Sequence, residues 1–309
     1  MKNYGIYGYE ISRPAEFDGF RLSPVTDNYT EVKKKASDLD NYYLTGFLEV
    51  DETQFPDARA LIFDLQGVLS FIDQKNVIIS NLLREHETFE NLDEDYPTKL
   101  TALRTINGGG SVILGDAFSS SSRRDFIAMA IDKLKESDAE NGAFRGAFFK
   151  SIEVFRGSNS FIDVNYYLLF SALESLSRFH LNDYTSKNCS TPIAKFLEPF
   201  GFDISQDNTR ELVKSVSTYT HIRNALFHNG KFECEVNING EMEKISISKY
   251  YSQFDTLITL IMLKYIGFDD GHINWNCWLD RMHSSSNTLP SDNKKPGNAY
   301  GAPDFGVKI

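Results

Sequence analysis

At Ser119–Ser122 the hydrophobic pattern of the chain changes its period, and that switch constrains the fold more than any other feature. Upstream, short β-prone runs are separated by Pro, Asp and Asn turns. Tyr42–Val50, Ala60–Leu65 and Val77–Ser80 each read as strands. Downstream, apolar residues return at three- and four-residue intervals over Arg124–Lys135, Ala143–Phe155, Phe161–Phe179, Thr209–Phe227 and Tyr251–Tyr265, which is the spacing of amphipathic helices. The most apolar of these, Phe161–Phe179, carries Val164, Leu168, Ala172, Leu176 and Phe179 on one stripe and reads as the central helix of a bundle.

The helical period breaks once more. Phe232, Cys234, Val236 and Ile238 alternate up to Asn239-Gly240, and Met242, Ile245 and Ile247 follow, so this segment reads as a β-hairpin with an Asn-Gly turn. After His283 the chain becomes polar and rich in Ser, Asn, Pro and Gly, the composition of a flexible tail. The expected class is α+β: a β-rich N-terminal domain over 1–120, a helical domain with a hairpin insertion over 121–282, and a tail over 283–309.

Charge and cysteine usage narrow the function classes. A net charge of −11 argues against a protein that coats nucleic acid over its whole surface. The acidity concentrates in the first 120 residues, in Glu85, Glu87, Glu90 and Asp93-Glu94-Asp95 among others, so a nucleic-acid contact is expected as a local site in the second half. Cys189, Cys234 and Cys277 lack metal-ligand spacing and fit a reducing compartment better than a disulfide framework. The N-terminus has no signal-peptide run, and no stretch approaches the ~20 apolar residues of a membrane span. A cytoplasmic protein without membrane contact is the expectation.

One short segment holds the chemistry. Arg223-Asn224-Ala225-Leu226-Phe227-His228 ends an amphipathic helix just before Asn229-Gly230, a helix stop. A permanently charged guanidinium can hold a phosphate, and an imidazole moves a proton near neutral pH. At roughly 100° per residue, Leu212, Val216, Tyr219, Ile222 and Leu226 fall on the core side, with Ser217, Thr220, His221, Asn224 and His228 opposite. Arg223 projects near the middle of the apolar stripe and needs a partner there: a phosphate, a facing subunit, or a carboxylate such as Glu174, with Arg178 one turn further on. The plainer alternative is a structural Arg223–Glu174 ion pair and a histidine that complements the helix dipole.

Arg223-Asn224-x-x-x-His228 resembles the Arg-x4-6-His signature of the HEPN superfamily, in the form where a polar residue follows the arginine. With Ala172-Leu173-Glu174-Ser175-Leu176 on an earlier apolar helix and a strand-rich N-terminal region, the chain is most similar to the Apea-like HEPN proteins, over about residues 125 to 270. The resemblance implies a metal-independent endoribonuclease of toxin or antiphage systems, with RNA as substrate and a homodimer formed through the helical domain. It assigns Arg223 and His228 as the catalytic pair, with Asn224 assisting and Glu174 and Arg178 supporting. No cofactor and no metal is implied. A sensor or regulatory role with a protein ligand is expected for the acidic N-terminal domain.

Other readings are weaker. A non-catalytic HEPN module that binds nucleotide, RNA or a protein partner is the alternative, and the acidic surface favours it. A serine hydrolase using His221 or His228 lacks a nucleophile-elbow sequence. His86, His180, His272 and His283 show no metal-ligand pairing. Asn107-Gly108-Gly109-Gly110 lacks the lysine and glycine spacing of a phosphate cradle and reads as a connection.

Overall fold

The computed structural model describes residues 1–280 except 103, 105–109, 136–138 and 158–160. With 47% helix and 19% strand the chain is mixed α and β. Asn107–Gly109 and the 283–309 segment, His283 included, lie outside the described residues.

Strand β4 (Asn41–Val50) organises the N-terminal sheet. It pairs antiparallel with β1 (Lys2–Tyr7) on one side and with β3 (Phe20–Pro24) on the other, and β6 (Lys99–Thr101) joins its first residues. β2 (Ala15–Phe17) extends the sheet beyond β3 and β5 (Ile78–Leu82) beyond β1, giving the order β2-β3-β4-β1-β5. Alternation along these strands divides their side chains between two cores, as a pleated strand must. Ile6, Leu22, Leu48 and Val50 join the main core. Tyr7, Leu44 and Phe47 form a smaller one with Leu83 and Tyr96, covered by the loop after β5. Tyr7 and Tyr96 both keep their hydroxyls satisfied there, on the carbonyls of Pro97 and Asn81.

Helix α1 (Tyr29–Ala36) starts at Asn28, whose side chain accepts from the Glu31 N–H. Helix α2 (Arg59–Asp73) occupies the run Ala60–Leu65 that the sequence suggested as a strand. A short apolar run does not by itself distinguish a strand from a buried helix. Here Leu61, Leu65, Val68, Leu69 and Ile72 continue the run at helical intervals, all buried. One side of α2 faces the sheet and the other meets α3 (Ser122–Lys135) and α4 (Ala139–Arg156), with the Phe71 ring 5.6 Å from Phe126 and 5.1 Å from Phe148. A single buried cluster therefore runs from the sheet through α2 into the helices, across the Ser119–Ser122 switch.

The remaining helices are α5 (Ile162–Leu181), α6 (Ser190–Leu197), α7 (Val216–Asn229), α8 (Ile247–Ile266) and α9 (Cys277–Asp280). Between α7 and α8 stands the hairpin β7 (Glu233–Ile238) and β8 (Glu241–Ser246), turned by Asn239 and Gly240 at φ 54° and 97° as an Asn-Gly turn requires. The buried face of α5 differs from the expected stripe. Tyr166, Leu169, Phe170, Leu173 and Leu176 face inward, whereas Val164 is half exposed. The large rings decide it: Tyr166 and Phe170 both pack against Phe254 of α8. α7 also starts later than the Thr209 expected. Ser205 pairs with Ser215 in a parallel bridge that holds Ser215 extended, so the short 3-10 turn over Leu212–Lys214 does not run on into α7, which begins at Val216. No helix of the described residues is long and apolar enough to cross a membrane.

A buried charge cluster marks the junction of the two halves. Arg123, in the first turn of α3, donates to the carbonyl of Glu10, to Asp73 at 3.0 Å and to Ser111 at 3.3 Å, and lies over the Tyr9 ring. Burial opposes its charge, but Asp73, Tyr9, Glu10 and Asp116 outweigh that and raise its pKa. Replacing Arg123 with Ala leaves the buried Asp73 and the partly buried Glu10 without their cation. We expect a loss of about 3–5 kcal/mol, read by urea denaturation.

Asp255 on α8 gives a pH signature. Its carboxyl has no hydrogen bond or ion pair among the described residues, and burial pushes it up to about 7. The folded state therefore favours the protonated form, so stability falls as pH rises from roughly 4 to 7. Asp255→Asn removes that titration. The variant should melt above the parent at about pH 8, and the advantage should vanish towards about pH 4.

Candidate functional site

Helix α7 places the motif. Val216, Tyr219, Ile222 and Leu226 are buried as their spacing requires. The Tyr219 ring stacks on Phe254 at 4.8 Å, and its backbone carbonyl accepts the Tyr166 hydroxyl at 2.7 Å. These contacts fix α7 against α5 and α8. Thr220, expected on the outer flank, is buried instead, because α6 lies on that side and Cys189 at its start approaches the threonine hydroxyl at 3.8 Å. The helix stops at Gly230, at φ 61°, whose N–H bonds back to Ala225 and Leu226. The Lys231 N–H also reaches Ala225, closing a left-handed cap.

Arg223 is half-buried, and its environment is specific. One terminal N–H donates to Asn224 Oδ1 at 3.0 Å. The guanidinium carbon lies 5.3 Å from the Phe227 ring centre and 5.9 Å from that of Phe170. Among the described residues no carboxylate pairs with it. Glu174 is engaged elsewhere: it accepts from Arg178 Nε at 2.9 Å. Arg178 in turn donates to the carbonyls of Asp183 and Ser186 and so ties down the chain beyond α5. The structural Arg223–Glu174 pair considered from the sequence is therefore not formed, because Arg178 one turn along the same helix is the nearer cation.

His228 sits in the last turn of α7 and is exposed, as are Asn229 and Gly230 beyond it. No hydrogen bond joins its ring to Arg223 or to another described residue. Five residues apart on one helix, the two side chains diverge by about 140°. The single chain thus brings Arg223, Asn224, Phe227 and Phe170 together and leaves His228 on the neighbouring open surface. Beside it, the end of α7 and β7 enclose a groove of about 810 Å³ lined by Ala225, Asn229, Lys231, Phe232 and Glu235 among others.

Sequence reasoning missed Cys189 and the aromatic residues of the site. The Cys189 thiol is raised, chiefly by burial and next by Glu174, with Thr220 and Arg223 opposing, so it lies within the field of both charged side chains. Nothing in the sequence around Cys189 signals this, since α6 itself was not anticipated. Tyr167 and Phe227 could have been found, because they are large rings outside the buried positions of their helices, Tyr167 well away from the buried stripe and Phe227 at its edge.

Elsewhere, Glu87, Asp93 and Asp95 bring carboxylate oxygens within 4.8 Å of one another. Arg84 already bridges Asp93 and Asp95 at 2.8 and 2.7 Å, and His86 meets Asp93 at 2.9 Å. Side chains of the loop itself thus already engage Asp93 and Asp95.

Neither a family model, nor a curated protein, nor a solved structure matches the chain.

The left-handed cap gives a stability test of the site's frame. Gly230→Ala forces an L side chain into φ 61° with no crowding around it, so strain is the only cost. A loss of roughly 1–2 kcal/mol is expected in thermal or urea unfolding.

Proposed function

We propose that the chain is a metal-independent endoribonuclease of the HEPN type, with Arg223 and His228 as its catalytic pair and a role in a toxin or antiphage system. The observation that carries this reading is a guanidinium with no acidic partner among the described residues, held by an amide and two rings, five residues before a solvent-open histidine. A cation left in that state is available to a phosphate, and Asn224 positions it without neutralising it.

In the reaction, His228 takes the proton of the ribose 2′-hydroxyl as general base. The 2′-oxygen attacks the adjacent phosphorus, forming one P–O bond while the P–O5′ bond breaks. Arg223 stabilises the negative charge that builds on the phosphoryl oxygens. The leaving 5′-oxygen takes a proton from solvent or from His228 of a second copy, and the products are a 2′,3′-cyclic phosphate and a 5′-hydroxyl. Glu174 and Arg178 act as a neutral pair that fixes α5 beside the site.

A homodimer through the helical segment is part of this reading. Half of Val164 on α5 and most of Phe161 just before it are exposed, apolar surface of the kind a second copy covers. The N-terminal sheet is read as the regulatory portion with a protein ligand, and the three free thiols suit a cytoplasmic setting. The competing reading, a non-catalytic module that binds nucleotide, RNA or a protein, is favoured by the net charge of −11 and by the packing of Arg223 on Phe170.

Incubation of the full chain with RNA in excess EDTA separates the two. The expected result is cleavage to cyclic-phosphate ends, reduced about 10²–10⁴-fold in His228→Ala and about 10²–10³-fold in Arg223→Ala, with both variants still folded by circular dichroism. Cleavage that stops on chelation, or that persists in His228→Ala, rules the mechanism out.

A further inference from the structure

Phe227 of α7, beside Arg223, and Tyr167 of α5, which packs against Phe227, are large aromatics left in solvent, whereas neighbouring rings are buried. Tyr166, Phe170, Tyr219 and Phe254 are each no more than 2% exposed, against 50% for Tyr167 and 39% for Phe227. The two exposed rings meet edge to face, 4.9 Å apart at 88°. One ring thus supports the other at a right angle, and they form a corner with open π-surface. A charge stands next to one of the two rings, since the Arg223 guanidinium lies 5.3 Å from the Phe227 ring centre.

A π-surface next to an unneutralised cation fits a nucleotide, which offers a flat base and an anionic phosphate joined by one sugar. The same surface suits a packed protein contact poorly, because covering a guanidinium that lacks a carboxylate costs its desolvation without a counter-charge. Base stacking on aromatic side chains tolerates any base, since every base has a π-face.

We propose that Tyr167 and Phe227 form the platform on which the base adjoining the cleaved phosphate stacks, making both positioning residues of the reaction. The inference rests on the RNA-cleaving reading above. A base held in this corner is withdrawn from its own stack, so the nucleotide at the cut is unpaired. The platform sets where the phosphate falls relative to Arg223 and leaves the proton transfer at His228 unchanged.

The test uses the full-length His228→Ala protein and a 12-nucleotide single-stranded RNA carrying 2-aminopurine at each position in turn, with the cut site mapped on the wild type. Stacking quenches the fluorophore at the position flanking the cleaved phosphate. In the same background, Tyr167→Leu and Phe227→Leu should remove the quench and weaken binding by roughly 5- to 150-fold, while Tyr167→Phe should retain both. In the otherwise wild-type protein, Tyr167→Leu should raise KM more than it lowers kcat. An abasic residue at the flanking position should mimic it without adding to it.

Cleavage and quenching by Tyr167→Leu equal to wild type overturn the platform and leave the endoribonuclease standing. A wild-type protein that cuts no RNA overturns both. A change of Tyr167→Leu from dimer to monomer in light scattering, with no position quenched in the parent, assigns the corner to a contact between copies and also overturns the platform.

Discussion

Helix α2 is apolar on both sides, and the rest of the architecture follows from having to cover it. The sheet alone can bury one side, through Ile6, Leu48 and Val50. The other side, centred on Phe71, needs Phe126 of α3 and Phe148 of α4. A strand-rich half and a helical half that the sequence separates at Ser119–Ser122 are therefore one body at the level of packing. Arg123 adds direction to this apolar contact. It engages Glu10 and Asp73 together and so ties the start of α3 both to the β1–β2 connection and to the end of α2.

Where the sequence carried a periodic signal with few competing readings, the fold was legible. β4, β5, the Asn239-Gly240 hairpin and helices α3, α4, α5 and α8 stand within a few residues of their expected places. Local pattern failed where a distant partner decides the conformation. Ala60–Leu65 is too short a run to show its period, and it becomes a helix because the sheet on one side and Phe126 on the other both need a helical surface. Ser215 is held extended by pairing with Ser205, ten residues earlier, which parts the 3-10 turn over Leu212–Lys214 from α7 and which no local rule sees. The rotation of α5 by about one residue reflects Tyr166 and Phe170 competing successfully for the contact with Phe254.

The candidate site shows the same division. The helix end at Gly230 and the burial of Tyr219, Ile222 and Leu226 were readable, because a cap and a stripe are local features. The partner of Arg223 was not, because Glu174 had two cations within reach and the sequence does not say which it takes. Its choice of Arg178 leaves Arg223 with an amide. That distinction is chemical as well as structural. A carboxylate would have cancelled the charge that a phosphate needs, whereas an amide oxygen orients the guanidinium and leaves its charge intact.

Continuous packing joins this site to the sheet. Phe63 and Asp64 of α2 meet Phe149 and Arg145 of α4, and α4 lies along α5 for much of its length. α5 holds α7 through the Tyr166 hydroxyl on the Tyr219 carbonyl, and it supplies Phe170 and Tyr167 to the aromatic surround of Arg223 and Phe227. A rigid-body shift of α2 would move α4 and α5 together, since close-packed interfaces transmit displacement instead of absorbing it. The part of the site most exposed to such a shift is the Tyr167–Phe227 corner, because its two rings come from different helices. Arg223 and Asn224 are adjacent on α7 and would keep their hydrogen bond throughout.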